Sequence, residues 1–191
     1  MLARIGLIST VLLLALGCGG PGSFNGEVAG NKLTVNEAVF IASRDYRGVV
    51  GSVFLIMADV TTICADISAN WLRKNATYVY MDFHRTQGTG TDTVVVSPDK
   101  GTYTVLDTAA PAPSDSVFTE FYKTQANCTI DLPQYFGKSG TVTIYSIEFE
   151  TGGTLTGEFD INYGTQNDHV TGTFNASLCQ PSYPSGSPSC G

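Results

Sequence analysis

The sequence predicts a mainly β protein: a single antiparallel β-sandwich or open barrel of about eight to ten strands with one short helix. Two long alternations carry that expectation. In GTLTGEFDINYG, Leu155, Gly157, Phe159, Ile161 and Tyr163 alternate with Thr156, Glu158, Asp160 and Asn162; in HVTGTFNASLC, Val170, Gly172, Phe174, Ala176 and Leu178 alternate with Thr171, Thr173, Asn175 and Ser177. Successive side chains of a strand point to opposite faces, so a period of two held this long marks strands buried on one side. Composition agrees. Only 14% of residues are charged and 21 of the 191 are glycine, a balance suited to a Thr- and Gly-rich β-fold.

At the N-terminus, Arg4 precedes an uncharged run from Ile5 to Leu16, and Gly17-Cys18 follows. The run is too short for a membrane span, which needs about 20 residues. A positive start, a short apolar core and a small residue before a cysteine resemble a bacterial lipoprotein signal peptide. The match is to the relaxed pattern, since Ala15 stands where the strict one prefers leucine and Leu14 lies one place earlier. The resemblance implies removal of residues 1–17 and lipid attachment (palmitate among the acyl chains) at Cys18. Gly19, where lipoproteins retained in the inner membrane carry Asp, implies sorting to the outer membrane. The expected organisation is a signal peptide at 1–17, a flexible tether at 18–25, a β-rich domain at 26–179 and a Pro/Ser/Gly tail at 180–191.

Along the domain, strands are expected at 26–30, 33–41, 49–57, 78–85, 93–97, 102–106 and 117–124, separated by turn chemistry such as Pro98-Asp99-Lys100-Gly101 and a loop at 109–113. One helix is expected. Val60, Ile63, Cys64, Ile67 and Trp71 form a single apolar stripe, with Asp59 or Thr61 placed to cap its start. In GTVTIYSIEFE the apolar phase shifts from Val142 and Ile144 to Ile147 and Phe149, which signals a β-bulge or a strand buried on both sides. With the two alternating strands it makes an antiparallel meander over 141–178.

With Cys18 assigned to lipid, Cys64, Cys128, Cys179 and Cys190 remain, an even number that reads as two disulfides in an exported chain. Cys64–Cys128 with Cys179–Cys190 is the expected pairing, and Cys64–Cys179 with Cys128–Cys190 the close alternative. No CxxC occurs and neither histidine lies near a cysteine, so no metal site and no cofactor is expected. Net charge is −7 and the ten basic residues are scattered, which excludes nucleic acid as a partner and leaves the lipid anchor as the contact with membrane.

SFNGEVAGNKLTVNEAVF, MADVTTICADISAN, KGTYTV and DHVTGTFNASLC together resemble uncharacterised lipoproteins of the kind found in myxobacterial genomes. That resemblance implies an envelope location and a β-rich fold, and brings no activity with it.

Residues able to do chemistry are few. In YVYMDFHR, Val79, Met81 and Phe83 are expected inside and Tyr78, Tyr80, Asp82 and His84 outside, giving a ligand-binding strip in which Asp82 and His84 share a face. Asp168-His169 beside Asn167 suits a turn or a weak calcium corner but lacks the D-x-D-x-D-G run. Glu148 and Glu150, two apart on one strand, read as a charged surface, and no G-x-S-x-G is present. The expected function is that of a non-enzymatic, lipid-anchored binding or structural protein of the cell envelope, recognising a protein, glycan or small ligand. The alternatives are an envelope hydrolase using Asp82 and His84, and an apolar-ligand carrier, which needs an unfilled barrel.

Overall fold

The two alternating segments pair as a hairpin, β10 (Thr154–Tyr163) with β11 (Asp168–Leu178) in the chain numbering used below. Leu155 stands against Ala176, Gly157 against Phe174, Phe159 against Gly172 and Ile161 against Val170. The long strand β9 (Ile130–Ile147) flanks β10 and completes the meander. The computed structural model describes residues 20–46, 48–88, 92–107, 113–166, 168–181 and 189–190, with the backbone alone at 131–134. The expected signal segment at 1–17, Cys18, Asn167 and most of the 109–113 loop and of the tail lie outside the described residues.

The preceding elements are β1 (Gly22–Asn25), β2 (Glu37–Arg44), β3 (Val50–Ala58), α1 (Ile63–Ala69), β4 (Trp71–Leu72), β5 (Thr77–Gln87), β6 (Val94–Val96), β7 (Gly101–Val105) and β8 (Asp115–Thr124). Around the sheet the order is β11, β10, β9, β7, β8, β5, β3, β2, and β2 returns to β11 through Val39 against Ser177 and Phe40 against Leu178. The domain is therefore a closed eight-stranded barrel with extra strands, not a sandwich. It is also mixed rather than wholly antiparallel, because β2 runs parallel to β11 and β7 parallel to β8. Strand alternation reports which side chains face inward; closure depends on a pairing between residues more than a hundred positions apart in the chain, which alternation does not encode.

Inside, Phe40, Leu55, Met57, Met81, Phe83, Tyr103, Phe121, Leu155, Ile161 and Tyr163 are fully buried and belong to one cluster. Aromatic rings lock the meander. A Cβ built on Gly157 would come within 2.4 Å of the Phe174 ring, and one on Gly172 within 2.3 Å of Phe159. Each phenylalanine thus lies over the glycine opposite it, and the missing side chains make room for the rings. Phe24 of β1 adds to this layer, its ring 5.8 Å from Phe121 and 6.0 Å from Phe159.

Several local expectations are corrected. Residues 22–25, placed in the tether, form β1 on the edge of β11, whereas 26–30 make a turn closed by the Val28 and Asn31 bridge. β2 begins at Glu37, not at residue 33. The helix spans only Ile63–Ala69 because Thr62 (φ 73°) and Asn70 (φ 55°) are left-handed at its two ends. Its start is capped from another element: the Glu37 carboxylate accepts the Ile63 amide at 2.7 Å, while Asp59 accepts the amide of Thr77. The phase shift in β9 is a bulge. Ile144 pairs with Gly157 and Ser146 with Thr156, so Tyr145 is the extra residue, and Ile144 and Ile147 both turn toward the core.

The disulfides are Cys64–Cys179 and Cys128–Cys190, the alternative pairing rather than the expected one. The reason is the barrel seam. Cys179 follows β11 where it meets β2, and α1 packs on the outside of β2 in a second cluster with Val39, Ile41, Ala58, Ile63 and Tyr78. Cys128 lies beside Leu72, and β12 (Ser189–Cys190) pairs with β4, so the tail returns to the same corner.

The glycine and phenylalanine interlock has a direct consequence. Gly172→Ala should destabilise the domain by about 1–3 kcal/mol through overpacking, although alanine ordinarily suits a strand better. Gly51→Ala in β3, where a Cβ meets nothing within 4 Å, should stay within about 0.5 kcal/mol of the parent. Paired denaturant melts measure both.

Candidate functional site

On β5 the alternation divides as the sequence implies: Val79, Met81 and Phe83 are fully buried inside the barrel, and Tyr80, Asp82 and His84 lie on its outer face. Tyr78 also points outward but is buried, a correction to the expected strip. It stacks on Tyr122 with ring centroids 5.1 Å apart and lies beneath the cluster built by α1. A neighbouring network fixes that cover. The buried Asp66 takes two hydrogen bonds from Arg73, at 2.6 and 2.7 Å, and Arg73 also donates to Thr62.

Beyond Tyr78 the outer face is aromatic and acidic. Asp82 stands between Phe54 of β3 and Phe118 of β8, while Glu120 of β8 stands between Tyr80 and Phe136 of β9. Phe54 stacks on Tyr80 at 5.9 Å, and Phe118 leans on Phe136 at 5.6 Å. Each carboxylate therefore has aromatic rings as its cross-strand neighbours, close enough to exclude water from part of it. Asp82 Oδ1 and Glu120 Oε1 are buried and have no hydrogen-bond partner among the described residues. Asp82 Oδ2 is 3.0 Å from Nε2 of His84, whose side chain is 46% exposed.

Electrostatics follow from this packing. The hydrogen bond to Asp82 raises the His84 imidazole above its ordinary value, against an opposing effect of burial. Burial alone raises the Glu120 carboxyl. Ser116 stands across from His84 on β8, but the ring nitrogen that finds a partner is engaged by Asp82. Phe54, Phe118, Glu120 and Phe136 were not singled out in the sequence. The signal lies in β8, where Val117, Thr119 and Phe121 alternate with Phe118, Glu120 and Tyr122, but only the register to β5 and β9 brings them to Asp82.

The remaining candidates have structural partners. Asp168 accepts the Ala29 amide at 2.7 Å and ties the turn at 28–31 to β11. His169 Nε2 is 2.8 Å from Asp160 Oδ1, both exposed. Glu148 and Glu150 are exposed at the β9 to β10 turn. Among the described residues, no three His, Cys, Asp or Glu side chains gather into a metal-binding group. No helix among them is long and apolar enough to cross a membrane.

Both shifted groups act on stability with the same sign. His84 has a folded value above its unfolded one, so its contribution is present below the unfolded value near 6.5 and is lost as pH rises through the folded one. Glu120 is likewise raised above 4.5, so the native state holds its proton more tightly and stability from this group falls as pH rises through its raised value. Glu120→Gln should therefore stabilise the domain at neutral pH relative to acid and flatten its pH dependence. Denaturant melts of parent and variant across about pH 4 to 8 check this; a parent and variant with parallel profiles would contradict it.

No protein-family model, no curated protein and no solved structure matches this chain.

Proposed function

We propose that this protein is a lipid-anchored binding protein of the cell envelope, and that its ligand presents an organic cation to the acidic and aromatic strip on β3, β5, β8 and β9. One observation carries the reading: two carboxylate oxygens, Asp82 Oδ1 and Glu120 Oε1, are buried without hydrogen-bond donors among the described residues, between the rings of Phe54, Tyr80, Phe118 and Phe136. A buried acceptor left unpaired costs about 1–3 kcal/mol, more when charged. An amine, guanidinium or quaternary ammonium supplies what both parts of the strip favour. It is drawn by the charge of the carboxylates and lies against ring faces, the latter worth about 0.5–2 kcal/mol per cation and ring. Phosphate and sulfate groups meet repulsion there instead.

The filled interior supports an outer face as the recognition surface, since the largest inward side chains occupy the space an apolar ligand would need. The anchor rests on the leader's resemblance to lipoprotein signals and on Cys18, and Gly19 supports outer-membrane sorting. Cys18→Ser should release the protein from the membrane fraction.

The test titrates the purified protein with tetramethylammonium, hexalysine and hexa-arginine, with hexaglutamate as control. At least one cation should bind saturably, and Asp82→Asn combined with Glu120→Gln should weaken it tenfold or more. Binding should strengthen as pH rises through the raised Glu120 value, where that carboxylate ionises. No saturable cation binding, or binding indifferent to the double substitution in a chain of net charge −7, would overturn the proposal.

A further inference from the structure

Next to the acidic and aromatic strip, and sharing β9 with it, the outer face of β7, β9, β10, β11 and β1 is polar in a regular way. One row runs through five strands in register: Thr102, Thr143, Glu158, Thr173 and Ser23. Two residues further along each strand a second row holds Thr104, Thr141, Asp160, Thr171 and Asn25. Neighbouring strands lie about 4.8 Å apart, so each row extends over about 19 Å with a hydroxyl, amide or carboxylate at every step. The face is dented rather than flat. A depression of about 350 Å³ is lined by both rows, including Glu158 and Asp160. A second depression of about 420 Å³ shares Ser23 and Thr173 with it and is lined further by Tyr145, Thr156 and Asn175.

Tyr145 is the residue that the β9 bulge leaves without a cross-strand partner. It is a large aromatic side chain, 54% exposed, and its hydroxyl donates to the Glu158 carboxylate. A bulge commonly re-aims a side chain beside a functional site. Here it turns a ring outward into the wall of the second depression, two residues along β9 from Thr143 in the wall of the first.

We infer that this groove binds an oligosaccharide, with Tyr145 as the stacking platform and Glu158 and the threonine rows as its hydrogen-bonding wall. The chemistry selects that class. A sugar hydroxyl both donates and accepts, matching a surface where carboxylates only accept and threonine hydroxyls do either. A carboxylate that accepts from a hydroxyl forms a short, charge-assisted bond, and an exposed tyrosine covers the apolar C–H face of a pyranose ring. Nucleic acid meets Glu158 and Asp160 as like charges. A protein partner would meet Tyr145 among threonines and carboxylates, without the apolar centre that protein interfaces use. The row length fits a chain of several sugar units rather than a single one.

The test is an NMR titration of the isotope-labelled protein with chitotriose and with cellotriose, followed by calorimetry. At least one saccharide should shift the amides of Thr143, Tyr145, Glu158 and Thr173 saturably. Tyr145→Ala and Glu158→Gln, both at exposed positions, should each weaken binding tenfold or more while thermal melts stay close to the parent. Cation binding at the neighbouring strip should be unchanged by either variant, so failure of one site is readable apart from the other. Absence of binding by both saccharides, shifts confined to another face, or affinity indifferent to the two substitutions would each overturn the inference.

Discussion

The pairing of β2 with β11 is the contact on which the rest of the structure depends. It is short, two residue pairs in parallel, with the Cys179 amide donating to the Phe40 carbonyl at 2.7 Å just beyond it. Without it β2 would be the edge of an open sheet and β11 would be unpaired beyond the stretch that β1 covers, with an inner face lacking its opposite wall. Closure turns one sheet into a container, and the Cys64–Cys179 disulfide sits at the seam, joining the end of β11 to the helix that covers β2. The loop it closes, with a sequence separation of 115, is long enough for the cross-link to restrict the unfolded chain by about 2–4 kcal/mol.

Closure also fixes which side chains share an outer face. In an eight-membered ring, β5 and β8 stand opposite β10 and β11, so the barrel separates an acidic, aromatic face from a hydroxyl-rich one. The interior between them holds rings that interlock with glycines. The same residue types serve both purposes through position alone. Phe159 faces inward and fills space above Gly172, whereas Glu158 and Asp160 on either side of it face outward.

The sequence was most legible where the relevant physics is local. Alternation placed Val79, Met81 and Phe83 inside and set Asp82 beside His84 on the outer face, because strand geometry alone decides both. The phase change at Ile147 announced the bulge, although not that Tyr145 would be its product. Tyr78 lies on the outer face that alternation assigns to it but is buried there, because its cover, α1, arrives from a different part of the chain. The disulfide pairing is illegible for the same reason: spacing in sequence carries no record of a seam between residues 39–40 and 177–178. Glu120 and Phe136 join Asp82 only through the registers of β8 with β5 and β9, which three register shifts along β9 make harder still to read.

Closure is testable at the seam itself. Nuclear Overhauser contacts should join Val39 and Phe40 of β2 to Ser177 and Leu178 of β11 in a parallel pattern, and the Cys179 amide should exchange with solvent at the rate of the barrel core. An amide at Cys179 that exchanges as fast as those of a free edge, with no contacts across the two strands, would contradict a closed barrel and the opposed faces that follow from it.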